Sequence, residues 1–280
     1  EDAPAPTPPP TPTYYNLWVG GVQFTSGNLV IDSADNAAIS GSATYNPETS
    51  TLTLNNFSYT GEGYEYDSNS ACAAIYFNPA DENAELTIEL VGTNTVIIDN
   101  SECTSDAIYI ANGNLIIEGN GSLTATGDTG IYSSGNIDID GDKVDATGSL
   151  DYGIYAAGPL TINGGIVTVK GSEAGIYVEN NITIDSGTVK ATASGEYGIG
   201  IVAYAVTVNG GTVEAISTGE YGYGMTFYDA PTFNGKLVIY EGDDAGTAVR
   251  TDDPTYKSKY VKIAVPYCDV TVNYGIDGID

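Results

Sequence analysis

The sequence predicts an all-β chain wound as a parallel solenoid, and three observations carry that prediction. First, the phrase Gly-Ile-Tyr, with the variants Ala107-Ile108-Tyr109 and Gly198-Ile199-Gly200, recurs at a near-constant interval, so that Ile108, Ile131, Ile154, Ile176 and Ile199 stand 23, 23, 22 and 23 residues apart. Second, each copy leads into the same two phrases. Leu160-Thr161-Ile162 runs through Asn163-Gly164-Gly165 to Val167-Thr168-Val169, and Val206-Thr207-Val208 runs through Asn209-Gly210-Gly211 to Val213. Third, within each phrase apolar and polar residues alternate, and Gly or Asn closes it, which is the pattern of short strands between turns. Three strands per period of about 23 residues describe one coil of a solenoid.

Taken in order, Pro4–Thr13 is rich in Pro and Thr and predicts an extended spacer over residues 1–13. Residues 14–51 do not repeat. Leu17-Trp18-Val19 and Val22-Gln23-Phe24 read as strands about Gly20-Gly21, and Ala43–Tyr45 with Thr51–Leu54 read as a hairpin across Asn46-Pro47. A solenoid must cover its first coil, so this stretch is expected to be an N-terminal β cap with Trp18 as part of the plug. The coils are expected over 52–240, about seven or eight of them, roughly 35 Å long at the ordinary strand spacing. Asn78–Asn83 marks a loop inserted in the coil between Ile75 and Ile108. Residues 241–265 read as a closing segment. Residues 266–280, with a strand at Val270–Tyr274, read as a linker or the start of a neighbouring domain in a longer protein.

Composition bounds the partners. There are 37 acidic and 8 basic residues, a net charge of −29, and no histidine. So negative a surface repels nucleic acid and anionic lipid, and no apolar run approaches the ~20 residues that a membrane span needs. The missing histidines remove the commonest general acid–base group. Three cysteines point to an extracellular setting. Cys72 and Cys103 precede equivalent strands, so they either bridge adjacent coils or stack as small side chains in the wall; Cys268 is then left over.

Strand alternation turns the Ile column inward and the next residue outward. Tyr76, Tyr109, Tyr132, Tyr155 and Tyr177 therefore form an exterior ladder, which is expected to end in a shelf at Gly200 and Gly224 beside Tyr197 and Tyr221. Such a face fits a linear polysaccharide, because a phenol has an apolar body and a polar tip. The competing reading is cross-strand stacking that stabilises the sheet. The candidate carbohydrate-binding residues are thus Tyr109, Tyr132, Tyr155, Tyr177, Tyr197 and Tyr221. An acidic column (Asp128, Asp151, Glu173, Glu196, Glu220) runs beside them as a solvated edge. Glu118, Asp140, Asn163, Asp185, Asn209 and Asn234 fall at turns that Asn and Asp favour. If a cation binds, Ca2+ at Asp138, Asp140 and Asp142 is the expected site.

The segments Gly153–Gly171 and Gly175–Thr192 resemble the right-handed parallel β-helix of the pectate-lyase-like superfamily. The opening Tyr15–Asn28, with Tyr45–Tyr59, resembles modules of bacterial surface proteins of the carbohydrate-binding type. The resemblance implies a right-handed helix at a cell surface. The enzymes of that superfamily use an Arg or Lys base, or Asn-Thr-Asp, Gly-His-Gly and Arg-Ile-Lys segments. Here those three segments are absent, and the sole arginine, Arg250, lies past the coils. The expected function is therefore non-catalytic binding of a polysaccharide or glycan. The alternatives are a ligand-free stalk or adhesin domain, and a hydrolase or lyase using exterior acids such as Glu196 and Glu220.

Overall fold

The computed structural model describes residues 11–67, 71–100 and 102–266. Cys268, the strand expected at Val270–Tyr274 and most of the Pro/Thr-rich spacer lie outside these residues. The described chain is all-β, with 27 strands in two mixed sheets.

The Gly-Ile-Tyr phrases build the first sheet. Ala71–Phe77, Thr104–Ile110, Thr129–Ser133, Tyr152–Ala156, Ala174–Val178, Ile199–Ala203 and Tyr223–Phe227 pair in parallel in that order. Register runs Ile75, Ile108, Ile131, Ile154, Ile176, and all five side chains are fully buried. The second and third phrases form two further parallel ladders in the other sheet. Leu115, Ile137, Leu160, Ile182 and Val206 align in one, and Leu123, Val144, Val167, Val189 and Val213 in the other. Buried residues from all three ladders belong to one hydrophobic core. Each fully buried Ile or Leu contributes about 1.5–3 kcal/mol, so this aligned stack is the main source of stability.

The corner between the last two ladders explains the recurrent glycine. Gly165, Gly187 and Gly211 have φ of 72°, 85° and 79°, a left-handed backbone that other residues adopt at a cost. The residues ahead of that corner tie one repeat to the next. Asn209 donates from Nδ2 to Asp185 at 2.5 Å, and Asn234 donates to Asn209 at 2.6 Å.

Both ends switch to antiparallel pairing. At the start, Tyr14–Val19 and Tyr64–Asp67 both pair antiparallel with Ala71–Phe77, and Ile39–Asn46 pairs antiparallel with Thr51–Gly61. At the other end, parallel pairing stops at Thr232–Phe233. Tyr260–Ala264 then runs antiparallel to both Thr212–Ser217 and Val238–Gly242. Antiparallel cover hides the strand edges that a parallel stack leaves open.

Three expectations are corrected. Trp18 is not a plug, because Leu17, Val19 and Phe24 fill the interior while Trp18 pairs with Tyr76 on the outer face. Strand alternation requires this once Leu17 and Val19 point inward. The inward column does not continue through Ile199. Ile176 pairs with Ile201 and then Met225, both buried, while Ala174 pairs with Ile199. Gly200 and Gly224 therefore do not extend the tyrosine column, whose next members are Val202 and Thr226. The sequence Gly198-Ile199-Gly200-Ile201 fits either register, and the later one is chosen because a turn closed by Gly198 N–H on Gly195 O absorbs three residues more than the preceding repeat has there.

Candidate functional site

The tyrosine column forms as the register demands, but its rings face one another. Tyr109 and Tyr132 lie 4.5 Å apart at 17°, Tyr132 and Tyr155 4.6 Å at 5°, and Tyr155 and Tyr177 5.6 Å at 8°. Strands about 4.8 Å apart impose this spacing, because flat rings on one column then meet face to face. The stack extends past the expected residues at its upper end. Tyr66 lies 4.8 Å from Tyr76 and 4.6 Å from Tyr109, and Trp18 stacks on Tyr64 at 4.4 Å. Tyr76 is buried beneath this cover. A ring whose two faces are occupied by neighbours offers a ligand only its edge and its hydroxyl.

Polar groups beside the stack are satisfied internally. Tyr155 donates to Glu179 at 2.5 Å, Tyr152 to Glu173 at 3.1 Å and Tyr66 to Asp106 at 3.1 Å. Burial pushes the Asp106 carboxyl up to about 7, against hydrogen bonds from Tyr66 and Thr129 that lower it; the charges of Asp128 and Asp151 add to the rise. Burial, followed by the nearby Tyr132 and Asp106, raises Tyr109 to about 12. Burial and the Glu173 carboxylate raise Tyr152 to about 12 as well. The phenols therefore remain protonated donors across the neutral range. Asp128 accepts from Ser105 N–H at 3.0 Å and from the Ser149 hydroxyl at 3.1 Å, so it ties successive repeats together.

Below Tyr177 the face changes. The column steps down from phenol to Val202 and Thr226, and a groove of about 570 Å³ opens there. Its floor holds Ala174, Ile199, Val202 and Thr226. Tyr152 and Tyr177 stand at its upper end, with Tyr197 and Tyr228 beside the floor, and Glu173 and Glu196 contribute carboxylates. Tyr197 stacks on Tyr221 at 5.3 Å, ahead of the strands, and Tyr204 stacks on Tyr228 at 6.1 Å, after them. These four are far more open than the ladder: Tyr197 is 68% exposed and Tyr228 83%. The three residues inserted between Ala193 and Ile199 throw Glu196 and Tyr197 outward, so the register slip itself makes one side of the groove.

Of the six tyrosines expected to bind, the structure puts Tyr177 and Tyr197 on the groove, Tyr221 behind Tyr197, and Tyr109, Tyr132 and Tyr155 inside the closed stack. Tyr152, Tyr204 and Tyr228 were not expected. Tyr204 and Tyr228 follow Ala203 and Phe227 directly, and their 24-residue spacing was the signal that marked them.

Asp138, Asp140 and Asp142 lie along one strand, Ile137–Gly148. Among the described residues no group of three or more such side chains is placed to hold a metal. Cys72 and Cys103 form a disulfide with their Cα atoms 6.1 Å apart.

A family model described as carbohydrate-binding domain-containing protein matches residues 48–264, well over half of the chain. The chain belongs to this family. The match spans the ladder, the groove and the closing strand Tyr260–Ala264. No curated protein and no solved structure matches the chain.

Proposed function

We propose that this is a non-catalytic module that holds a polysaccharide or glycan in the groove below Tyr177, displayed on a right-handed parallel β-helix at a bacterial cell surface. The observation that carries the reading is the change of face at Tyr177. Above it every ring is stacked on another. Below it, open phenols stand about a low apolar floor with carboxylates within reach, which is the combination of apolar lining and few polar groups that small-ligand sites use. Sugar C–H faces pack on such rings, while Glu173, Glu196 and the phenol oxygens meet hydroxyls. Membership of the carbohydrate-binding family supports the ligand class.

The non-catalytic reading has its own support. The carboxyl with the most perturbed proton affinity, Asp106, is 5% exposed and lies beneath Tyr66, out of reach of a polymer. The disulfide suits an oxidising, extracellular place. The parallel ladders about one core support the β-helix, whose handedness is that of nearly all parallel crossovers.

A glycan array with three variants tests the site. Tyr197→Ala and Tyr228→Ala are each expected to weaken binding about tenfold or more, equivalent to about 1.4 kcal/mol, at unchanged melting temperature. Tyr132→Ala is expected to lower the melting temperature and leave affinity within about twofold, because it removes a stacked partner worth about 0.5–1.5 kcal/mol. Loss of binding in Tyr132→Ala alone would move the site to the ladder.

A further inference from the structure

We infer that the groove accepts glycans free of carboxylate and sulfate groups and rejects polyuronates unless a divalent cation screens them. This rests on the carbohydrate reading above and narrows it to a substrate class.

The groove's own charge carries the inference. Glu173 and Glu196 line it, and among the described residues no lysine or arginine does. Glu173 reaches the groove from the turn beside Asp151, and Tyr152 donates to it at 3.1 Å, which holds the carboxylate in place rather than neutralising it. Glu179, which accepts from Tyr155, adds a third negative charge near the upper end. The field extends outward, for Asp151 is held above its ordinary value by burial and then by the charges of Glu173 and Asp128. Beyond the groove the whole chain carries −29, so the net charge adds to the local negative potential.

A uronate seated on the floor would bring its carboxylate against this wall. At about 5 Å and in a water-like dielectric, each like charge weakens binding roughly fourfold, so Glu173 and Glu196 together give about fifteenfold. Neutral sugars escape the penalty, since their hydroxyls donate to the same carboxylates.

The test uses the full chain in chelator-containing buffer with three matched polymer pairs: hydroxyethylcellulose against carboxymethylcellulose, unsubstituted against glucuronosyl xylan, and methyl-esterified against de-esterified homogalacturonan. On every backbone that binds, the charged member is expected to be at least about tenfold weaker at low salt. That gap is expected to close to about twofold in about 1 M salt, where the screening length falls to about 3 Å. It is expected to close likewise in Glu173→Gln/Glu196→Gln at low salt. Equal or tighter binding of a charged member, with Tyr197→Ala still abolishing it, would overturn the inference and leave the site standing. Binding to none of the six polymers would overturn the carbohydrate reading and this inference with it.

Discussion

Asp106 shows how one residue couples the tyrosine face to solution conditions. Its carboxyl is buried among Tyr66, Thr129 and two further acids, and its folded-state value of about 7 lies above the ordinary 3.8. Between those values the folded chain holds a proton that the unfolded chain has released. Stability from this group is therefore fully present below about pH 4 and is lost as pH rises through 7. Asp106→Asn removes the titration and keeps an acceptor for the Tyr66 hydroxyl. The melting temperature of the variant relative to the parent is expected to rise by several degrees from pH 5 to pH 8, read by thermal denaturation at both values. A constant difference across that range would show that the carboxyl is already ionised in the folded state at pH 5, with its value not raised.

Each repeat closes tightly where the first sheet meets the third ladder. Gly153, Gly175, Gly200 and Gly224 stack immediately before the inward residues Ile154, Ile176, Ile201 and Met225. A Cβ on Gly175 would stand 2.7 Å from the Gly200 oxygen, and one on Gly200 would stand 2.6 Å from the Gly224 oxygen. The obstacle is backbone, so no rotamer change relieves it. Gly175→Ala is expected to cost about 1–3 kcal/mol, the range of a core overpacked by one methyl, in a denaturant titration. Gly164→Ala is the control, since a Cβ there meets only the Ser186 hydroxyl, at 3.4 Å. This glycine column also marks the true register: Gly200 falls in line with Gly175, and Gly198 does not. The motif Gly-Ile recurs at both positions, so spacing alone could not choose between them. The groove, which depends on that two-residue difference, was hidden for the same reason.

At the scale of the molecule, antiparallel strands cover the ends of the stack. Tyr260–Ala264 covers the last long ladder by pairing with Thr212–Ser217, and its Lys262 pairs with Glu214 at 3.0 Å. A chain ending after Phe233 would expose that edge together with buried Val213 and Ala215. Such a truncation is expected to associate through its open ladder, seen as a steeper growth of scattering mass with concentration than residues 1–280 show.

The period of about 23 residues and the alternation within each phrase were enough to establish β-strands, stacked registers, the buried Ile and Leu columns and an exterior row of tyrosines. Those features repeat, and a repeat states its own neighbours. What broke the repeat was decided only in three dimensions. Whether Tyr132 shows a face or an edge depends on the ring of the next strand. Whether Trp18 plugs the core or joins the outer stack depends on which residues beside it turn inward. Whether Tyr197 lies beside a groove depends on how three extra residues are absorbed. Local pattern specifies what recurs along the chain. The site lies where recurrence fails, and there packing between repeats sets the geometry.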